Sequence, residues 1–201
     1  MTRISVIDYG VGNLFSMSNA LRKTGAEVEI VSTRDKILAA DGVVLPGVGN
    51  FGAAADKLKP LASAVLEAVE NGVPLLGSCL GMQLMFESSE EAEGKGLGLL
   101  EGWIREFSGE LKTPHMGWNT IESTRESPLL EGVPDGSYFY YVHSYYPDPV
   151  NQSDSLALTD YGGVFTSIVE RGNVYGCQFH PEKSGKSGAK LLSNYVGVIR
   201  R

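Results

Sequence analysis

Cysteine is scarce in this sequence, since the chain contains only Cys79 and Cys177. The two are not spaced as a CxxC pair, so the sequence favours neither a disulfide framework nor a zinc site with thiol ligands. We therefore predict no metal site. Thiols that stay reduced are typical of the cytoplasm, and this is the location that we predict.

Long apolar runs and an excess of positive charge are also missing. The longest apolar stretches span only a few residues, and residues 1–3 lead into a strand-like segment without the apolar region of a signal peptide. The formal net charge is −7, and the chain has no long basic cluster. It therefore lacks the electrostatic footprint of proteins that bind nucleic acid or anionic membranes. Small molecules or other proteins remain as partners.

The sequence does contain a regular alternation of strand-like and helix-like segments. The strand-like segments are 3–7, 28–31, 42–45 and 73–76. The helix-like segments are 13–23, 61–71 and 80–87. Strands that alternate with helices form parallel sheets covered on both faces, so we predict an α/β fold with a doubly wound, mostly parallel sheet. A chain of 201 residues suits one domain, which we place at 1–201.

Short strands dominate the second half of the chain. An acidic loop at 87–94 precedes six predicted strands, at 99–107, 118–123, 137–142, 156–159, 164–170 and 174–179. A helix at 186–199 closes the chain, with Leu191, Leu192, Tyr195 and Val196 on its apolar face. We expect this half to add its short strands to the same sheet.

The motif Gly77-Ser78-Cys79-Leu80-Gly81 directly follows the strand at 73–76. A thiol in a sharp turn between a strand and a helix is exposed and points toward substrate, as in the G-x-S-x-G elbow of serine hydrolases. Backbone N–H groups at the helix start also favour the thiolate. Cys79 is therefore the candidate nucleophile for attack on a carbonyl group.

A thiol nucleophile of this kind needs a base, and the chain has three histidines. His180 ends a predicted strand and has Glu182 two positions later to orient its imidazole. His115 and His143 have no carboxylate within three residues, and we interpret them as structural or substrate-lining. The predicted catalytic residues are thus Cys79, His180 and Glu182.

Two glycine-rich segments match nucleotide-binding motifs only in part. The segment 47–52 satisfies G-x-G-x-x-G, but it follows an internal strand and lacks an acidic residue at a strand end at the required offset. The segment 185–187 resembles the end of a P-loop, but His180 stands where that motif needs glycine. We predict no cofactor. We interpret the turn at 47–52 as a source of backbone N–H groups for an oxyanion, with Leu80 N–H as the second donor.

Taken together, these motifs resemble the class I, or triad, glutamine amidotransferases along nearly the whole chain. The segment 46–49 resembles the oxyanion strand of that family, 77–83 its nucleophile elbow, and 178–182 its base and orienting carboxylate. The resemblance implies a flavodoxin-like glutaminase fold. Within the family, segments 114–119 and 141–145 are similar to the glutaminase subunits of imidazole glycerol phosphate synthases, which act in histidine biosynthesis.

The resemblance also implies a reaction and a set of binding residues. Cys79 would attack the side-chain amide of L-glutamine, ammonia would leave, and water would hydrolyse the glutamyl thioester to glutamate. The backbone N–H groups of Val48 and Leu80 would form the oxyanion hole. The residues implied to hold glutamine are Gly49, Gln83, Glu91 and the backbone of Ser144 and Tyr145.

Ammonia released into water at neutral pH is mostly protonated and no longer nucleophilic, so a biosynthetic use needs a sealed route to an acceptor. The resemblance implies a heterodimer with a β/α-barrel cyclase subunit that makes imidazole glycerol phosphate and aminoimidazole carboxamide ribotide. We expect Asn13, Trp118 and Lys183 to contact that partner. Two alternatives are a free-standing thiol hydrolase of γ-glutamyl or peptide substrates and a catalytically silent binding module.

Overall fold

The computed structural model describes residues 2–109 and 111–201, so the predicted domain at 1–201 includes two residues, Met1 and Glu110, that lie outside the described part. The strands in that part are β1 (Arg3–Ile7), β2 (Glu27–Val31), β3 (Gly42–Gly47), β4 (Leu75–Cys79), β5 (Phe86–Ser89), β6 (Leu100–Glu106), β7 (His115–Thr120), β8 (Glu122–Ser123), β9 (Tyr138–His143), β10 (Tyr145–Pro149), β11 (Ser155–Asp160), β12 (Val164–Arg171) and β13 (Val174–Cys177). The helices are α1 (Leu14–Arg22), α2 (Arg34–Leu38), α3 (Phe51–Glu70), α4 (Leu80–Gln83) and α5 (Gly185–Ile199).

Eight of these strands form the central sheet, in the order β2-β1-β3-β4-β13-β12-β11-β8. The five strands from β2 to β13 are parallel to one another, and β12, β11 and β8 add an antiparallel edge. The prediction of an α/β fold with a mostly parallel sheet is confirmed. The carboxyl ends of β3, β4 and β13 meet at one edge, which is where open α/β sheets bind their ligands.

Helices cover both faces of the sheet, which explains why its strands are apolar throughout. Val44 and Leu76 face a core that includes α1 and α5, with Met17 and Leu191 as examples. The alternate residues of the same strands face a second core under α2 and α3, where Leu45 is an example. Successive side chains of a strand point to opposite faces, so a strand buried on both faces carries no polar alternation.

The second half of the chain extends the central sheet only in part, and this corrects the prediction. β8, β11, β12 and β13 join that sheet, but β10-β6-β5 form a separate three-stranded sheet and β7-β9 a two-stranded one. β5 and β10 lie in segments that were not predicted as strands. Each pairs with β6. Pairing with a neighbouring strand, rather than the residue pattern of the segment itself, therefore accounts for their extended conformation.

Two predicted helices have different lengths in the structure. The helix predicted at 61–71 is the second half of α3, which begins at Phe51 and contains Pro60. Pro60 lies on the exposed side, where water can bond the carbonyl that proline leaves without a donor. The helix predicted at 80–87 is only α4, and the chain then enters β5. Among the residues that the structure describes, no helix combines the length and apolarity needed to cross a membrane.

Candidate active site

The predicted nucleophile Cys79 lies at a strained turn between β4 and α4. Its φ of 53° makes it the single non-glycine residue with positive φ in the described part of the chain. Such a conformation costs on the order of 1–3 kcal/mol and persists only where the surrounding structure enforces it. The turn therefore holds the thiol at the carboxyl edge of the sheet, as the elbow motif predicts.

Close backbone packing enforces this turn from the side of β3. A Cβ atom placed on Gly81 would lie 1.8 Å from the Leu45 carbonyl oxygen, and one on Gly47 would lie 2.6 Å from the Gly81 nitrogen. Only glycine permits such an approach. The hydroxyl of Tyr9 donates to the Pro46 carbonyl at 2.8 Å and fixes the end of β3. The glycine-rich loop after β3 is thereby held beside the elbow.

His180 and Glu182 form a buried pair just beyond the end of β13. The distance between His180 Nδ1 and Glu182 Oε1 is 3.1 Å, and the two side chains are 2% and 3% exposed. Burial lowers the pKa of His180, but the nearby Cys79 sulfur and the Glu182 carboxylate outweigh it and raise the pKa to about 9. The imidazole is therefore protonated at neutral pH, ready to act as an acid.

The second ring nitrogen of His180, Nε2, is free to contact the nucleophile. This atom is buried and has no hydrogen-bond partner among the described residues. The backbone around it is fixed, because His180 N–H donates to the Tyr140 carbonyl at 2.9 Å and the Ser184 hydroxyl donates to the His180 carbonyl at 2.6 Å. In sites without substrate, catalytic hydrogen bonds of this kind are often incomplete and form only when substrate binds.

Two groups that the sequence did not identify contact the Cys79 sulfur. The Gln178 Nε2 atom lies 3.7 Å from Sγ, and the Val142 carbonyl oxygen lies 3.9 Å from it. Gln178 is fully buried. It precedes His180 by two positions, so strand alternation could have placed both residues on the same side of the chain.

A cavity of about 270 Å³ opens at Cys79. All seven residues predicted for oxyanion and glutamine binding line it, namely Val48, Gly49, Leu80, Gln83, Glu91, Ser144 and Tyr145. The first residues of a helix have N–H groups without an intrahelical acceptor, and Leu80 is in that position. The cavity therefore brings backbone donors and polar side chains together around the thiol.

Gln83 and Glu91 are both held in place by contacts with the protein. Gln83 Nε2 donates to the Tyr145 carbonyl and to Gln178 Oε1, each at 3.1 Å. Glu91 accepts a hydrogen bond of 2.7 Å from the N–H of Phe51, the first residue of α3. A carboxylate at a helix N-terminus is favoured by the helix dipole. Glu91 is thus an ordered member of the cavity wall and not a freely solvated charge.

His115 and His143 pack directly against each other behind the cavity. The distance between His115 Nδ1 and His143 Nε2 is 2.9 Å, and His143 also lines the cavity. Burial lowers the pKa of His115 to about 4 and that of His143 to about 3. Both are therefore neutral at pH 7, which agrees with the interpretation of these residues as structural or substrate-lining.

The residues predicted to contact a partner lie outside the cavity, on the surface. Asn13 and Lys183 are exposed, and Trp118 is 55% exposed. Lys183 Nζ lies 5.9 Å from the centre of the Tyr140 ring, and Trp118 lies 6.0 Å from the same ring. Asn13 also caps α1 by accepting from Ser16 N–H at 3.2 Å. In the described part of the chain, no group of three or more His, Cys, Asp or Glu side chains is placed to hold a metal ion.

The chain is similar to proteins of one family over almost its whole length. Residues 5–197 match the family described as glutamine amidotransferase class-I. The chain is 49% identical over 199 residues to the imidazole glycerol phosphate synthase subunit HisH of Bacillus cereus (strain G9842), covering 98% of this chain and 95% of the relative. It is 45% identical over 197 residues to the HisH subunit of Methanocaldococcus jannaschii, covering 98% and 100%.

Solved structures with lower identity share the fold. A crystal structure of a glutamine amidotransferase has a TM-score of 0.78 and 19% identity, covering 98% of this chain and 99% of that one. The structure of PurLQS from Thermotoga maritima has a TM-score of 0.77 and 21% identity, covering 98% of each chain. The family match and the HisH relatives show that this chain belongs to the class-I glutamine amidotransferase family.

Proposed function

We propose that this chain is the glutaminase subunit of an imidazole glycerol phosphate synthase and that it acts in histidine biosynthesis. The observation that carries the proposal is the strained Cys79 turn beside the His180–Glu182 pair, at the wall of a polar cavity. The similarity to HisH subunits over 98% of the chain gives the biosynthetic context. We take the chain as a single domain and place it in the cytoplasm, where Cys79 would stay reduced.

The first half of the proposed reaction forms a thioester. The Cys79 thiolate attacks the side-chain carboxamide carbon of L-glutamine, and the carbonyl oxygen becomes an oxyanion that accepts from Val48 and Leu80 N–H. His180, protonated at neutral pH because its pKa is raised to about 9, gives its proton to the amide nitrogen. The C–N bond breaks and ammonia leaves, with Cys79 bound to the glutamyl carbon.

The second half of the proposed reaction releases glutamate. His180, now neutral, takes a proton from a water molecule while the water oxygen attacks the thioester carbon. The C–S bond breaks, the thiolate of Cys79 is restored, and the imidazolium of His180 is ready for the next cycle. Glu182 accepts from His180 Nδ1 at 3.1 Å throughout and so stabilises the positive charge on the ring.

The cavity wall offers complementary groups for the rest of glutamine. Glu91 is a carboxylate that can pair with the α-ammonium group, and it is already oriented by Phe51 N–H. Gln83 uses its Nε2 atom on Tyr145 and Gln178, so its Oε1 atom is the part left to accept from substrate. Gly49, Ser144 and Tyr145 contribute backbone groups along the same wall.

Ammonia made in this cavity would be used by a second protein. Relatives are called subunits of imidazole glycerol phosphate synthase, and we propose that a β/α-barrel cyclase is the partner. Trp118, Asn13 and Lys183 are exposed and would give that partner aromatic, polar and cationic contacts. Aromatic residues are enriched in protein interfaces relative to other surface.

The deciding experiment measures glutamate release by the chain alone, with the cyclase subunit, and with the cyclase and its ribonucleotide substrate. We expect slow turnover alone, faster turnover in the full mixture, and none with Cys79→Ser. Cys177→Ala removes the other thiol, which is fully buried, and should retain turnover. Fast hydrolysis that no partner changes would favour a free-standing hydrolase. Glutamine binding without a thioester in mass spectra would favour a silent module.

A further inference from the structure

A continuous line of hydrogen bonds runs behind the cavity from Asn119 to the Tyr145 carbonyl. Asn119 Nδ2 lies 3.3 Å from His115 Nε2. His115 Nδ1 lies 2.9 Å from His143 Nε2, and His143 Nδ1 lies 2.8 Å from the Tyr145 carbonyl oxygen. Both histidines are buried, at 3% and 6% exposure. None of these residues except Tyr145 has a role in the proposed reaction.

The two terminal groups, Asn119 Nδ2 and the Tyr145 carbonyl, determine which ring nitrogens of His115 and His143 carry protons. The Tyr145 carbonyl can only accept, so His143 Nδ1 must carry a proton. Asn119 Nδ2 can only donate, and that assignment is secure because Nδ2 also donates to the Asp160 carbonyl at 2.9 Å while Oδ1 accepts from Thr120 N–H at 2.8 Å. His115 Nε2 is therefore an acceptor.

The contact between the two rings then has one possible direction. A neutral His115 whose Nε2 accepts must carry its proton on Nδ1, and it donates that proton to His143 Nε2. Both rings are neutral and both are Nδ1–H tautomers. Burial supports this charge state, since it lowers the pKa of His115 to about 4 and of His143 to about 3. A second proton on either ring would place two N–H groups face to face.

The ring of His115 is clamped as well as hydrogen-bonded. It stacks on Tyr141 at a centroid distance of 4.8 Å and an interplanar angle of 23°, and on Tyr161 at 4.0 Å and 22°. The backbone also holds the two histidines together, because His115 on β7 is paired directly with His143 on β9. The ring cannot turn without displacing two aromatic side chains, so its hydrogen bonds keep one geometry.

The line ends on a carbonyl group that also orients the cavity wall. The Tyr145 carbonyl accepts from Gln83 Nε2 at 3.1 Å in addition to His143, so both of its lone pairs are used. Gln83 Nε2 has its second proton on Gln178 Oε1. The amide plane of Gln83 is thereby set, with Oε1 left for a ligand. Loss of the His143 bond would leave Gln83 Nε2 as the one remaining side-chain donor to the Tyr145 carbonyl among the described residues.

We infer that His115 and His143 are positioning residues, which hold the Tyr145 peptide and the Gln83 amide in the orientation that receives glutamine. This inference rests on the proposed function, because glutamine is the proposed ligand of that wall. In the described part of the chain, the polar contacts of the thiol are with Gln178 and the Val142 carbonyl and not with either histidine. Their effect should therefore fall on KM for glutamine and leave kcat within about threefold, as expected for a lost ground-state contact.

The kinetic test compares His115→Leu with His115→Asn in the complete glutaminase–cyclase assembly. Leucine removes the donor to His143, and the loss of one buried hydrogen bond should raise KM for glutamine roughly tenfold. Asparagine can place its Nδ2 atom where Nδ1 stood, so His115→Asn should keep KM within about twofold of the parent chain. Equal KM values for His115→Leu and the parent, in folded protein, would overturn the inference.

The spectroscopic test uses the unaltered chain, so it does not depend on how any variant folds. Ring ¹⁵N spectra distinguish protonated from unprotonated nitrogen, and we expect both histidines to be neutral Nδ1–H tautomers at pH 7. An Nε2–H tautomer or a charged ring at His143 would overturn the inference. A parent chain that turned over no glutamine in the assembly would instead overturn the proposed function, and this role with it.

Discussion

Replacing Gly81 with alanine tests the packing that holds the Cys79 turn. Gly81 is helical, and alanine is the better helix former by about 0.5–1 kcal/mol, so helix propensity alone predicts a more stable protein. The structure predicts the opposite. The new Cβ would lie 1.8 Å from the Leu45 carbonyl oxygen, which is 1.6 Å short of the 3.4 Å at which ordinary contact begins.

The size of the effect follows from what would have to move. The obstacle is the backbone of β3, a strand paired on both sides within the sheet, and not a flexible side chain. Extra methyl groups in packed cores cost about 1–3 kcal/mol, and we expect Gly81→Ala to lower the free energy of unfolding by an amount at the upper end of that range. Activity should fall further, because a displacement of about 1 Å in a reacting group can cost roughly 100-fold in rate.

Urea denaturation and glutamate release in the cyclase assembly measure the two effects. Gly197→Ala in α5 is the matched control, because a Cβ there would meet no atom within 4 Å. That substitution should raise the free energy of unfolding by about 0.5–1 kcal/mol and leave turnover unchanged. If Gly81→Ala were as stable and as active as Gly197→Ala, close backbone packing would not be what maintains the elbow.

Three further predictions concern titration and reactivity. Cys79→Ser should lower the pKa of His180 from about 9, because the sulfur that raises it is gone; an NMR titration that shows no change would contradict this. Iodoacetamide should add once to the native chain by mass spectrometry, at Cys79 in the cavity, since Cys177 is fully buried, and a second adduct would refute the assignment. Burial lowers the pKa of His115 to about 4 and that of His143 to about 3. Below pH 6.5 these histidines are therefore protonated in the unfolded chain but not in the folded one, so the free energy of unfolding should fall toward pH 4. His115→Asn should reduce that slope by about 1.4 kcal/mol per pH unit in urea titrations, and an equal slope would argue against a neutral His115.

Local patterns were enough to predict the parts of the fold that depend on neighbouring residues. β1 was expected at 3–7 and is found there, because a short apolar run between polar residues is typical of a buried strand. α5 begins one residue before its predicted start, since its apolar positions keep helical spacing along its whole length. The Cys79 turn follows from glycines on either side of a residue that ends a strand.

Features that depend on distant partners could not be predicted in this way. β5 is a strand because β6 lies beside it, and its own residues continue the helical pattern of α4. The contact between His115 and His143 requires the register of β7 and β9, strands that are separated by a long connection. No motif includes both histidines, and their neighbours in the sequence give no sign that they meet.

The two faces of the β7–β9 sheet differ in burial, and odd-numbered and even-numbered residues lie on opposite faces. Odd-numbered residues on both strands turn inward, including His115 and His143, while even-numbered ones such as Met116 and Trp118 turn outward, at 63% and 55% exposure. Deleting one residue near the start of β7 would exchange the two faces of that strand. His115 would then turn toward solvent as Trp118 turned inward, so one deletion should impair both the proposed glutamine binding and the proposed contact with a partner.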